Sequence, residues 1–133
     1  MRYLLDTHAF LWAYGRSSRL PERVRSAIED INAEVCVSSI TFWEIAIKLR
    51  AKRLSVGGKT ATDLISEARR MDFRLIPLEP EEAASQQGLI EDTHFDPFDR
   101  MLIWQAIQRN LILVSGDRQF EQFRSDGLKL LWK

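Results

Sequence analysis

Asp96-Pro97-Phe98-Asp99, followed further on by Leu111-Ile112-Leu113-Val114-Ser115-Gly116-Asp117, decides the fold of this chain. Aspartate before proline is a strong helix start, because the carboxylate caps free amides and the ring suits the first turn. That helix runs to about Arg109 and offers Met101, Leu102, Ala106 and Ile107 to a core. Leu111 to Val114 is an unbroken apolar run, the length of a strand, and reads as buried. An acid, Asp117, stands three residues past it.

Outward from this unit, strands and helices keep alternating. Tyr3-Leu4-Leu5 is a first buried strand closed by Asp6, and Thr7 caps a short helix from His8 to Ala13. Pro21 opens a helix to about Asn32 with Val24, Ile28 and Ile31 on one face. Val35-Cys36-Val37 is a second strand ending in Ser38-Ser39. A helix from about Thr41 to Arg53 turns Phe42, Ile45, Ala46 and Leu49 inward. Gly57-Gly58 breaks the chain, within a candidate mobile loop from Leu54 to Thr60. Ala61 to Met71 is a helix, Phe73 to Leu78 an edge-type strand, and Glu81 to Gln87 a helix ended by Gly88. After Asp117, a short helix from Arg118 to Phe123 leads to a last strand, Leu128 to Trp132. Such alternation predicts one α/β domain over residues 1–133. It is doubly wound, with a parallel sheet of about five strands covered by helices on both faces. Right-handed crossovers put every carboxyl end on one rim.

Bulk numbers bound the function. With 133 residues, 45% hydrophobic and 29% charged, the chain suits a single core. Nineteen basic and nineteen acidic side chains cancel, which argues against a protein held to nucleic acid by bulk charge alone. A local basic groove beside an acidic pocket stays open. Cys36 is the only cysteine, so there is no internal disulfide and no cysteine metal site. Asp6 and His8 interrupt the first apolar stretch, no leader pattern precedes the fold, and no run reaches the ~18–20 apolar residues of a membrane span. The expectation is a cytoplasmic protein.

Four acids fall where the sheet gathers them. Asp6 and Asp117 follow strands, while Glu44 and Asp99 sit on the first turns of helices near the same rim. In an open parallel sheet that rim is the ligand crevice. Carboxylates converging there repel one another unless a cation joins them. Magnesium or manganese fits, as a hard ion that prefers oxygen. One ion, or two about 4 Å apart, would suit four acids. Helix capping competes with this reading: Thr41-x-x-Glu44 is a capping-box pattern, Asp96 is most simply a cap, and Asp117 suits the cap of the helix behind it.

Leu4-Leu5-Asp6-Thr7-His8, Ser38-Ser39-Ile40-Thr41-Phe42-Trp43-Glu44-Ile45-Ala46, Asp96-Pro97-Phe98-Asp99-Arg100-Met101-Leu102-Ile103 and Val114-Ser115-Gly116-Asp117 resemble the motifs of PIN-domain nucleases. The likeness is greatest to the VapC-type toxins of bacterial toxin–antitoxin pairs, and it covers nearly the whole chain in order. Singly each motif is weak; the ordered set is strong. The resemblance implies a five-stranded parallel sheet and a magnesium- or manganese-dependent endoribonuclease. Its substrate would be tRNA or another structured RNA, cut to leave a 5′-phosphate and a 3′-hydroxyl. It further implies a cognate antitoxin protein and a homodimer. Residue by residue, Asp6, Glu44, Asp99 and Asp117 match the family's acidic quartet, and Thr7 and Ser115 match hydroxyl positions beside it. Trp104 departs from the pattern, since many relatives carry a small residue there.

Arg100 reads either as a phosphate contact or as an exposed ion pair. Lys48 and Lys52 belong to a basic stretch with Arg50, Arg53 and Lys59, which is either a solvated helix face or a ridge that tracks RNA phosphates. His8 and His94 read either as proton-transfer groups or, as isolated histidines near helix ends more often are, as structural or solvated. The tryptophans read as core or interface, and base stacking on Trp12 or Trp43 has no support from sequence. Two rivals stand beside the nuclease. A receiver or phosphatase would also place an aspartate at a strand end with magnesium, but position 8 is His8 and Lys129 lies within the last strand. An inert interaction module of the same fold would leave a costly acidic cluster without a use.

Overall fold

Strands that are apolar on both sides need cover on both sides, and the alternation of side chains along each strand shows how this is met. The computed structural model describes residues 1–94 and 96–133. Its elements run β1 (Arg2–Leu5), α1 (Thr7–Tyr14), α2 (Glu22–Glu29), β2 (Glu34–Ser38), α3 (Ser39–Arg50), α4 (Ala61–Arg70), β3 (Arg74–Ile76), α5 (Pro80–Ser85), α6 (Pro97–Gln108), β4 (Ile112–Val114) and β5 (Lys129–Leu131). A 3-10 turn, Gln86–Gly88, follows α5, and a longer 3-10 segment, Arg118–Asp126, precedes β5. The sheet is parallel in the order β3-β2-β1-β4-β5. Tyr3, Leu5, Val35, Val37 and Val114 point to one face and pack with Phe10, Phe42, Ile45, Leu64 and Phe73. Leu4, Cys36 and Leu113 point to the other and pack with Leu102, Ile103, Ala106, Phe120 and Phe123. Phe10, Phe120 and Phe123 are buried outright. Each such side chain stabilises the fold by about 1.5–3 kcal/mol through burial.

The predicted class, the parallel sheet and the order of elements are therefore observed. Several element ends move, each for a local reason. Asp6, not Thr7, caps α1: its carboxylate accepts from the Ala9 amide at 2.8 Å. Helix α2 stops at Glu29 because Asp30 takes the Asn32 amide at 2.9 Å into a turn, which leaves Ile31 95% exposed instead of on the core face. Helix α3 starts two residues early, because the Ser38 hydroxyl accepts from the Ile40 amide at 3.1 Å. It ends at Arg50 instead of Arg53, and Ala46 faces solvent. Asp96 caps α6 as expected, accepting from the Asp99 amide at 2.9 Å.

Beneath the sheet, a buried polar chain ties α5 and α6 to β2. Ser38 donates to Gln105 Oε1 at 2.6 Å, Gln105 Nε2 donates to Glu82 at 3.1 Å, and Arg109 donates to Glu82 at 2.7 Å. No described helix is long and apolar enough to cross a membrane.

Candidate active site

The chain leaves β1 in one direction to build β2 and β3, then returns to lay β4 on the other flank of β1. The sheet thus reverses its winding between β1 and β4, and open α/β sheets bind ligands just beyond such a point. Asp6 follows β1 and Ser115-Gly116-Asp117 follows β4; the Asp6 amide donates to the Val114 carbonyl at 3.1 Å, extending the ladder to the rim. There a cavity of about 580 Å³ is lined by Asp6, Glu44, Asp99 and Asp117 together, with Asp96, Thr7 and Lys48 also in its wall.

Each acid is held by the element that carries it. Asp6, buried at the rim, is fixed by its capping bond to Ala9. Glu44 sits one turn further into α3 than the capping-box reading required, and its carboxylate turns sideways. Thr7 donates to its Oε1 at 2.7 Å and the Lys48 ammonium lies 2.6 Å from its Oε2. Asp99, half-buried on the first turn of α6, meets the His94 ring at 2.9 Å. Asp117 is exposed and caps the 3-10 segment through the Gln119 amide at 2.9 Å, while its own amide donates to Ser115 Oγ at 3.1 Å.

Electrostatics report the crowding. Burial pushes the Asp6 carboxyl up to about 6; the Ser115 hydroxyl and the Ala9 amide pull it back, and the charges of Glu44 and Asp117 push it further up. Burial likewise pushes Asp99 up to about 6, against the His94 hydrogen bond and with the help of Asp96 and Glu44. The His94 pKa is raised: burial works against its charge, but hydrogen bonds to Asp99 and Gln119 and the charges of Asp99 and Asp117 outweigh it. Among the described residues, His94, Asp99 and Asp117 each offer a ligand atom within 4.8 Å of the others. A donor set of carboxylate oxygens with one imidazole nitrogen, two carboxyls reluctant to ionise and a lysine already drawn onto a third acid fits a divalent cation of the magnesium or manganese kind.

The structure brings together all four predicted acids, with Thr7 on Glu44 and Ser115 beside Asp6 and Asp117. Two expected basic contacts change place. Arg100 turns away from the cavity; its guanidinium donates to the carbonyls of Glu91 at 2.7 Å and His94 at 3.0 Å and lies 5.8 Å from the centre of the Phe123 ring. It shapes the loop that presents His94, and the sequence reading of it as a phosphate contact or exposed ion pair gives way to that role. Lys52 lies past the end of α3 in a left-handed turn (φ 58°), so it does not continue the face of Lys48. His94 was undervalued by sequence: its contact with Asp99 depends on the loop before α6, whose shape has no periodic signal. The lysine a receiver would need is also remote, since Lys129 bonds Asn110 at 3.1 Å near the amino ends of β4 and β5.

With this geometry in place, a sequence profile of the PIN domain matches residues 3–125. The chain belongs to the PIN domain family. It is 27% identical over 129 residues to Ribonuclease VapC22 of Mycobacterium tuberculosis (strain ATCC 25618 / H37Rv), covering 97% of each chain. Its fold is similar to a chain in the structure of VapBC2 from Rickettsia felis bound to a DNA fragment from their promoter, with TM-score 0.72, 18% identity and full coverage of both chains (100%). It is also similar to a chain of FitAcB from Neisseria gonorrhoeae, with TM-score 0.62 and 20% identity over 98% of this chain and 96% of that one. These likenesses agree with the parallel α/β fold described above.

Proposed function

We propose that this PIN-domain chain is a divalent-metal-dependent endoribonuclease and the toxin of a toxin–antitoxin pair. The observation that carries the proposal is the meeting of Asp6, Glu44, Asp99 and Asp117 in one cavity at the sheet's switch point. The family membership and the similarity to a ribonuclease point the same way. Asp6 and Asp99 would hold the ion, magnesium or manganese, with Asp117 in an outer position. When bound, the ion supplies charge neutralisation at the phosphate and acidity to a water molecule. Glu44 would complete the ion's shell and orient the attacking water, and Thr7 keeps the Glu44 carboxylate in its rotamer. Ser115 does the same for Asp6. His94 aligns Asp99. Lys48, at the cavity wall, meets the phosphate oxygens. Hydrolysis leaves a 5′-phosphate and a 3′-hydroxyl.

The partners proposed are a structured RNA such as tRNA, a cognate antitoxin covering the acidic crevice, and a second copy of this chain. The test is to incubate purified protein with total RNA and a divalent ion and to map the new ends by sequencing. Discrete cuts are expected from the wild type, and none from Asp6→Asn or Asp99→Asn. Undiminished cutting by both variants would defeat the assignment; calorimetry without divalent-ion binding would favour the inert interaction module.

A further inference from the structure

The carboxylate cavity does not end at its acids. Its wall of His8, Trp12 and Arg19 is shared with a second cavity of about 560 Å³, which Tyr14, Leu54 and Val56 continue. His8 and Trp12 are four residues apart on α1, so they stand on one face, with ring centroids 5.7 Å apart and a tilt of 46°. Trp132, carried by the end of β5, lies 5.8 Å from Trp12 on another side. The guanidinium of Arg19 lies 6.0 Å from the Trp12 ring centre. His8 and Arg19 are exposed, and half-buried Trp12 packs against the core while also lining both cavities. Asp6 caps this same helix, which places Trp12 about 9 Å along the axis from the acid on one rigid element.

We propose that His8, Trp12 and Arg19 form a nucleobase subsite, which receives one unpaired base of the RNA next to the scissile phosphate. This rests on the ribonuclease reading and adds the kind of RNA it takes. A π-face, a cation beside it and an anion-handling centre one helix turn or two away match the alternation of base and phosphate along a single strand. Trp12 stacks the base, Arg19 pairs with the neighbouring phosphate, and His8 closes the edge. A base within a duplex shows only its edges, so the nucleotide seated here lies in a loop, a bulge or a single-stranded end.

The experiment uses a short RNA spanning a mapped cleavage site, and versions with a single abasic nucleotide on either side of the scissile bond. Wild-type protein is expected to show a roughly ten- to hundred-fold higher KM for one abasic RNA, with kcat changed only a few-fold. Trp12→Leu should raise KM for intact RNA by a similar factor and erase the difference between intact and abasic RNA, and Trp12→Phe should restore most of it. Equal KM for intact and abasic RNAs with the wild type overturns the subsite, whatever the variants do, and leaves the groove to a polypeptide. Absence of any RNA cleavage by the wild type refutes the ribonuclease reading instead, and the subsite with it.

Discussion

Lys48 does the work of a counter-ion at the rim. Its ammonium lies 2.6 Å from Glu44, on the adjacent helical turn, where it offsets one of the gathered negative charges. A divalent ion seated as proposed would share that carboxylate with it. Lys48→Met is therefore expected to tighten divalent-ion binding by a few-fold in calorimetry; an unchanged or weaker affinity would contradict the competition. Asp6 gives the opposite kind of prediction. Its folded pKa lies at about 6, above the ordinary 3.8, so the metal-free fold binds its proton more tightly than the unfolded chain does. That contribution is complete below pH ~4 and is lost as the pH rises through ~6. Asp6→Asn keeps an oxygen for the Ala9 amide and removes the charge. It should raise the melting stability of the metal-free protein at pH 8, by up to roughly 3 kcal/mol, and bring little gain at pH 4. A gain of the same size at both values would show that ionisation is not the cause.

At the scale of elements, the turn after β4 is the tightest joint around the cavity. A Cβ on Gly116 would sit 2.6 Å from the Trp132 ring, an approach that real Cβ atoms do not make. Gly116→Ala must displace the indole that walls the site, so a fall in stability of about 1–3 kcal/mol is expected, together with weaker RNA cleavage. An unchanged melting temperature would mean that Trp132 has room to move. The elements themselves were legible because apolar runs such as Leu111–Val114 and caps such as Asp96-Pro97 act locally. Their ends were less so. Whether Ser38 or Thr41 opens α3 depends on which hydroxyl reaches a free amide, and that choice moved Glu44 from a cap to the side of a helix. All four acids could be picked out from their order along the chain. His94 could not, because a loop carries it to Asp99. Gln105 was also hidden: a fully buried amide among apolar helix positions makes sense only once Ser38 and Glu82 are seen on either side.

Over the whole molecule, the two faces of the sheet are covered, and two of the exposed large apolar side chains stand together on α3. Trp43 is 58% exposed, stands edge-on to Phe98 at 5.0 Å, and shares its helix face with exposed Ile47, four residues on. A patch of this kind suits the proposed homodimer. Light scattering should give twice the monomer mass for the wild type and the monomer mass for Trp43→Glu; a monomeric wild type would place self-association out of reach of this patch. The sheet's interior has a practical use as well. Cys36 is only 1% exposed, mid-strand in β2, and burial raises its thiol pKa. With no other sulfhydryl in the sequence, a cysteine introduced on the outer surface would react with a maleimide dye ahead of it. Fluorescent distance reporters can thus be installed on the native background, without first engineering the resident sulfur away.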